Sequence, residues 1–157
     1  MRTDKCTWFL DLAERCAQQG TCLRRNFGAV IVDTNNTVVS TGYTGSPVGQ
    51  RDCLELGTCW RIDNNIPSGT QYEKCRSVHA EQNAIIQAGK KARGSTLYLS
   101  GIDAVSGELV EILPCFLCAK MILNSGIVKV VVRMREGHLD YDPLEIYRIR
   151  SKEAFSS

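Results

Sequence analysis

Four segments decide the fold: His79-Ala-Glu-Gln-Asn-Ala-Ile-Ile-Gln-Ala88, Thr96-Leu-Tyr-Leu-Ser100, Cys115-Phe-Leu-Cys-Ala-Lys-Met-Ile-Leu-Asn124 and Ile127-Val-Lys-Val-Val-Val132. In the first, Ala80, Ala84, Ile85 and Ala88 recur at helical spacing, and the helix is expected to run from His79 to Lys91. The third reads as a helix closed by Gly126 after Ser125. The second and fourth are short apolar runs rich in strand formers. Helix and strand thus alternate, as in a sheet with helices packed on its faces. Working outward, residues 3–19 place Trp8, Phe9, Leu12, Ala13, Cys16 and Ala17 on one helical face, and Gly20 ends that run. Phe27–Val32 and Thr37–Tyr43 flank the polar turn Asp33-Thr34-Asn35-Asn36, a hairpin pattern. Asp142–Lys152 predicts a terminal helix with Pro143 in its first turn. The order is α-β-β-α-β-α-β-α, an α/β class with a central mixed sheet.

The chain has 157 residues, the length of one domain over residues 1–157. With 19 Lys and Arg against 17 Asp and Glu, the net charge of +2 provides no broad field for nucleic acid. No apolar run approaches the roughly 20 residues of a membrane span, so no membrane partner is expected. The N-terminus has scattered acids and no small-residue cleavage site, which argues against a secretory leader. A reducing, cytoplasmic location is expected, where the eight cysteines point to metal rather than disulfides. Residues 44–76 lose periodicity and gather Gly, Pro, Cys and Asn. A connection that long needs a function, or something other than a core to hold it.

The chemistry concentrates at His79-Ala80-Glu81 and Pro114-Cys115-Phe116-Leu117-Cys118. Either motif alone is common: a charged helix start in the first case, a redox or structural pair in the second. Together, in this order and each opening a helix, they match the His-x-Glu and Pro-Cys-x-x-Cys signature of zinc deaminases. His79, Cys115 and Cys118 supply three zinc ligands and leave the fourth position to water, as a catalytic zinc site requires. Cys115 and Cys118 are three apart and share a helix face, where the helix dipole favours thiolate. Glu81 need not bind metal; it is placed to move the proton of that water to a ring nitrogen and then to a leaving amine.

At these residues the chain resembles the cytidine and deoxycytidylate deaminase superfamily, most closely its deoxycytidylate (dCMP) branch. The likeness extends through Thr21-Cys-Leu-Arg-Arg25, Gly28-Ala-Val-Ile-Val32, Thr41-Gly-Tyr-Thr-Gly-Ser-Pro47, His79-Ala-Glu-Gln-Asn-Ala84, Cys118-Ala-Lys120 and Asn124-Ser-Gly-Ile127. It implies a three-layer α/β/α fold of the cytidine-deaminase kind and zinc-dependent conversion of dCMP to dUMP. It also implies a homo-oligomer, often a hexamer, with dCTP and dTTP as effectors in some members. Three features depart from the family pattern. Thr44 stands where the Gly-Tyr-Asn-Gly loop has Asn, a region of nucleotide and effector contacts. Residues 101–113 lengthen the connection into Pro114, as a rim of the pocket, as a contact with a neighbouring subunit, or as an exposed hairpin. The chain after Val132 is less family-like, so a phosphate contact from His138 or Tyr141 is an expectation without a motif behind it.

The resemblance also bears on the remaining cysteines, because family members use a cysteine before the hairpin for a second zinc. Cys22, Cys53, Cys59 and Cys75 are therefore expected to form a closed structural site that folds the irregular segment. The alternative is four ordinary buried thiols. For substrate, Asn26 matches a family position that meets the sugar hydroxyl, and Ala80 through its amide, with Glu81, reads the pyrimidine edge. Arg24 and Arg25 are the nearest cations for a 5'-phosphate, or else plain surface charge. Gly42, Gly45 and Gly49 let the following loop approach a nucleotide. Rival readings are a related substrate (dCTP, cytidine or a tRNA adenosine) and a non-catalytic zinc-stabilised interaction protein.

Overall fold

The computed structural model describes residues 1–156. Its centre is a sheet in the order β2-β1-β3-β5-β6, made of β1 (Arg25–Val32), β2 (Val38–Tyr43), β3 (Thr96–Asp103), β5 (Lys129–Arg133) and β6 (His138–Tyr141). A short β4 (Leu109–Val110) pairs with β3 through Gly101 and Ile102. Only β3 and β5 run parallel; β1 is antiparallel to both β2 and β3, and β6 to β5, so the sheet is mixed.

Strand side chains alternate between faces, and here both faces are covered. Val30 and Val32 of β1, Tyr98 of β3 and Val131 of β5 meet Phe9, Leu10 and Ala13 of α1 (Lys5–Ala17). Their neighbours Ala29, Ile31, Leu97, Leu99, Val130 and Val132 point the other way. That second face receives α4 (Ala80–Ala88), α5 (Phe116–Ser125) and α6 (Pro143–Phe155). Three layers result, one helix on one side and three on the other. Asp4 caps α1 by accepting from the Thr7 amide at 2.9 Å. Asp142 caps α6 by accepting from the Leu144 amide at 2.8 Å, with Pro143 at the first helical position.

One part of the expected order needs correction, and the excursion before Pro114 takes a definite form. Beyond β5 the chain adds an edge strand, β6, before the terminal helix, so the order has a strand that the periodicity did not predict. The excursion at residues 101–113 is the β3–β4 hairpin, turned by Asp103, whose Oδ1 accepts from the amides of Val105 and Ser106 at 2.9 Å each. The irregular segment also contains two single-turn helices, α2 (Cys53–Leu56) and α3 (Trp60–Asp63), and a 3-10 turn at Tyr72–Lys74.

The helix that opens with the His-x-Glu motif lies close on β2. Ser40 Oγ donates to the Ala84 carbonyl at 2.7 Å, and Asn83 Nδ2 donates to the Tyr43 carbonyl at 2.8 Å. Gly42 makes that approach possible. A Cβ there would collide with the Ala80 carbonyl oxygen and sit 2.6 Å from the Ala84 amide nitrogen, both backbone atoms that cannot swing aside. So Gly42 serves helix packing, whereas its sequence context suggested a nucleotide contact. Gly42→Ala is expected to cost about 2 kcal/mol as overpacking, a fall of about 6 °C in Tm. A thermal melt that matches the unsubstituted protein would contradict this packing role.

Candidate metal centre

The N-termini of α4 and α5 meet on the multi-helix face. His79 is the N-cap of α4 and Cys115 the N-cap of α5, so two helix dipoles direct their positive ends at one place. His79 Nδ1 lies 3.5 Å from Cys115 Sγ and 3.3 Å from Cys118 Sγ. Among the described residues these three form the only set of three or more His, Cys, Asp or Glu whose ligand atoms all lie within 4.8 Å of one another. Zinc bonds of about 2.0 Å to nitrogen and 2.3 Å to sulfur in a tetrahedron put those donors about 3.5 Å apart. The donor set and its spacing fit zinc, with Nδ1 as the metal-facing nitrogen of His79.

The electrostatics agree with that reading. The Cys118 thiol hydrogen-bonds Cys115 and, with help from His79, holds the Cys115 sulfur as thiolate at a pKa of about 4 against the opposing effect of burial. Sharing that bond, together with burial, pushes the Cys118 thiol well up. Metal ligation requires both sulfurs as thiolates, so a divalent cation there would lower the Cys118 thiol as well. Glu81, in the first turn of α4, is 4% exposed. Burial raises its pKa above the usual carboxylate range, although the neighbouring His79 works against the rise. A carboxyl whose pKa is raised in this way is a stronger base than an exposed one, as a proton-transferring group requires.

These groups open onto a cavity of about 670 Å³. Its wall includes His79, Glu81, Cys115, Phe27 and Leu99, with Arg24, Arg25, Arg61 and Arg150 as cations. Two wall residues that sequence reasoning missed stack beside His79. The Tyr72 ring meets the imidazole edge-on with centroids 5.1 Å apart, and the Arg61 guanidinium lies 4.7 Å from the Tyr72 centroid. Arg61 is 4% exposed and donates to the carbonyls of Gln71 at 2.7 Å and Pro67 at 3.0 Å, closing the irregular segment over the site.

The substrate expectations divide. Arg24 and Arg25 do line the cavity. Thr44 lines it too, but its buried hydroxyl accepts from the Phe27 amide at 3.0 Å and so latches the loop to β1. Asn26 lies outside the lining, with Oδ1 accepting from the Cys22 amide at 2.9 Å and Nδ2 donating to the Cys22 carbonyl at 3.0 Å. Ala80 is buried as the first residue of α4, where its amide has no partner within the helix. Tyr141 sits in β6 opposite Val130 and packs on the core, away from the cavity lining. His138, at the other end of that strand, lies 3.0 Å from Asp140.

All eight cysteines are free. Burial pushes the Cys53 thiol up, and the nearby sulfurs of Cys22, Cys59 and Cys75 push it further. The four thiols therefore form one neighbourhood, though not at the close spacing of the His79 set. Cys22, Cys59 and Cys75 also border the cavity.

Comparison with known proteins places these features. The family model described as the cytidine and deoxycytidylate deaminase zinc-binding region matches residues 3–134. A deoxycytidylate deaminase of Mycobacterium phage D29 is 35% identical over 136 residues, covering 83% of this chain and 94% of that protein. One from Schizosaccharomyces pombe is 32% identical over 125 residues, covering 80% of this chain but 35% of the relative's length. In fold, the chain is similar to the apo crystal structure of dCMP deaminase from the cyanophage S-TIM5, with a TM-score of 0.61 at 23% identity, covering 96% of this chain and 94% of that one.

Proposed function

This chain belongs to the cytidine and deoxycytidylate deaminase family, and on that premise we propose that it hydrolyses dCMP to dUMP and ammonia. The observation that carries the reading is the donor triangle of His79, Cys115 and Cys118 with a buried Glu81 beside it, at the head of an arginine-lined cavity. His79, Cys115 and Cys118 would hold zinc, which when bound makes water a competent nucleophile at neutral pH.

The chain's own groups do the rest. Glu81 takes a proton from the attacking water and delivers it to the ring nitrogen as oxygen bonds to carbon 4. It then takes the proton of the hydroxyl now on carbon 4 and passes it to the exocyclic amine; the carbonyl forms as the carbon–nitrogen bond breaks, and ammonia leaves. Burial of Glu81 keeps bulk water from competing for that proton. Arg24 and Arg25 grip the 5'-phosphate; their place in the cavity wall supports this, and the Ala104 amide fixes the Arg24 backbone by donating to its carbonyl at 2.8 Å.

A second, structural zinc on Cys22, Cys53, Cys59 and Cys75 belongs to the same reading, supported by the shared field of the four thiols around Cys53. Thiolate ligands of this kind suit a reducing, cytoplasmic compartment. No helix among the described residues is long and apolar enough to cross a membrane. Assembly as a homo-oligomer, and control by dCTP or dTTP, follow from the family likeness alone.

The experiment is ammonia release measured on dCMP, cytidine, dCTP and a tRNA anticodon stem. Turnover is expected with dCMP, and weaker turnover with cytidine, which lacks the phosphate for Arg24 and Arg25. Reaction of the tRNA alone would overturn the substrate assignment.

A further inference from the structure

The family model ends at residue 134, yet the terminal helix α6 reaches back to the metal turn. Arg150 Nε donates to the Pro114 carbonyl and Nη2 donates to the Leu113 carbonyl, each at 2.9 Å. Those carbonyls belong to the two residues directly before Cys115. They lie in a stretch, 111–115, that is neither helix nor strand. Pro114 is fully buried, and a buried carbonyl without a partner is costly. On the other side of Cys115, the Phe116 ring packs against Tyr147 and Phe155 of α6, with centroids 5.7 Å apart in both pairs. The helix thus holds the turn both upstream and downstream of the first thiolate.

We propose that Arg150 is a positioning residue for the metal centre. Its planar fork fixes the Leu113-Pro114 backbone, and so the place of Cys115 Sγ, which slows release of the zinc. Lysine would hold that backbone less firmly, since its donors rotate on a flexible stem and form no rigid fork. A third N–H of Arg150 donates to Glu153 at 3.0 Å, which anchors the guanidinium to its own helix. The inference rests on the zinc reading of His79, Cys115 and Cys118 but not on the identity of the substrate.

The test is transfer of zinc from the purified full chain to a chromophoric chelator. It is run alongside the visible spectrum of the cobalt-substituted protein and steady-state kinetics on dCMP. The relevant release phase is the one that Cys118→Ala abolishes, so it can be read whether or not dCMP is turned over. Outer partners of metal ligands typically change metal affinity about 10–100-fold. Arg150→Ala is therefore expected to speed that phase at least about 10-fold and to alter the cobalt–thiolate bands, with KM for dCMP unchanged. Arg150→Lys, which keeps the charge but not the rigid planar fork, should fall between the two proteins, and it carries the test should Arg150→Ala fail to fold. Release and cobalt spectra equal to the parent in Arg150→Lys and in any folded Arg150→Ala would overturn the proposal. So would a rise in KM alone, which would place Arg150 on the nucleotide's phosphate instead.

Discussion

Glu81→Gln is expected to leave a folded, zinc-loaded protein that no longer turns over. The substitution keeps the side chain's shape but removes its ability to accept a proton. A positioned acid–base group contributes about 10²–10⁴-fold. Glu81 is used twice in the cycle, for water and for the leaving amine, so a loss in kcat of about 10³-fold or more is expected. Stability should not suffer. At 4% exposure the carboxylate is held against a desolvation penalty, and a neutral amide escapes that penalty. Ammonia release and elemental zinc measured on the same preparation check both halves. Turnover near that of the parent protein would remove Glu81 from the mechanism.

Zinc counting carries the second large effect. The parent chain is expected to hold two zinc ions per chain, Cys118→Ala one with no activity, and Cys53→Ser one. Cys118 is fully buried between His79 and Cys115, so alanine leaves two donors and a void where the third sulfur stood. Cys53 is buried among Cys22, Cys59 and Cys75. Structural zinc contributes about 10–16 kcal/mol of apparent binding free energy in small zinc domains. Cys53→Ser should therefore loosen residues 44–76, including the turn that carries Tyr72, and lower Tm by more than 10 °C on the scale of about 2–4 °C per kcal/mol. One zinc per parent chain, unaffected by Cys53→Ser, would reject the four-thiolate site.

Much of this molecule could be read from its sequence because the relevant signals are local. In β1, β3 and β5 the apolar runs are buried on both faces, and their β-branched and apolar composition marks them as strands. The edge strand β6 could not be read the same way. His138, Leu139 and Asp140 are exposed, and the strand exists because β5 offers it a hydrogen-bonding edge. The cluster of His79, Cys115 and Cys118 was legible since zinc limits which residue types can serve and both motifs open helices. The surroundings were not. Tyr72, Arg61 and Arg150 come from an irregular segment and from the far end of the chain, and only tertiary packing brings them to the site. Asn26 shows the converse. A family position suggested a sugar contact, whereas the local turn claims both ends of its amide.

The most direct measurement is a crystal structure with anomalous scattering recorded at the zinc edge, from protein purified without added metal and with a bound cytosine nucleotide. A zinc peak bonded to His79 Nδ1, Cys115 Sγ and Cys118 Sγ, with its fourth position held by solvent and Glu81 alongside, is the predicted result. A peak closed off by a fourth protein ligand, or active protein with no peak there, would contradict it.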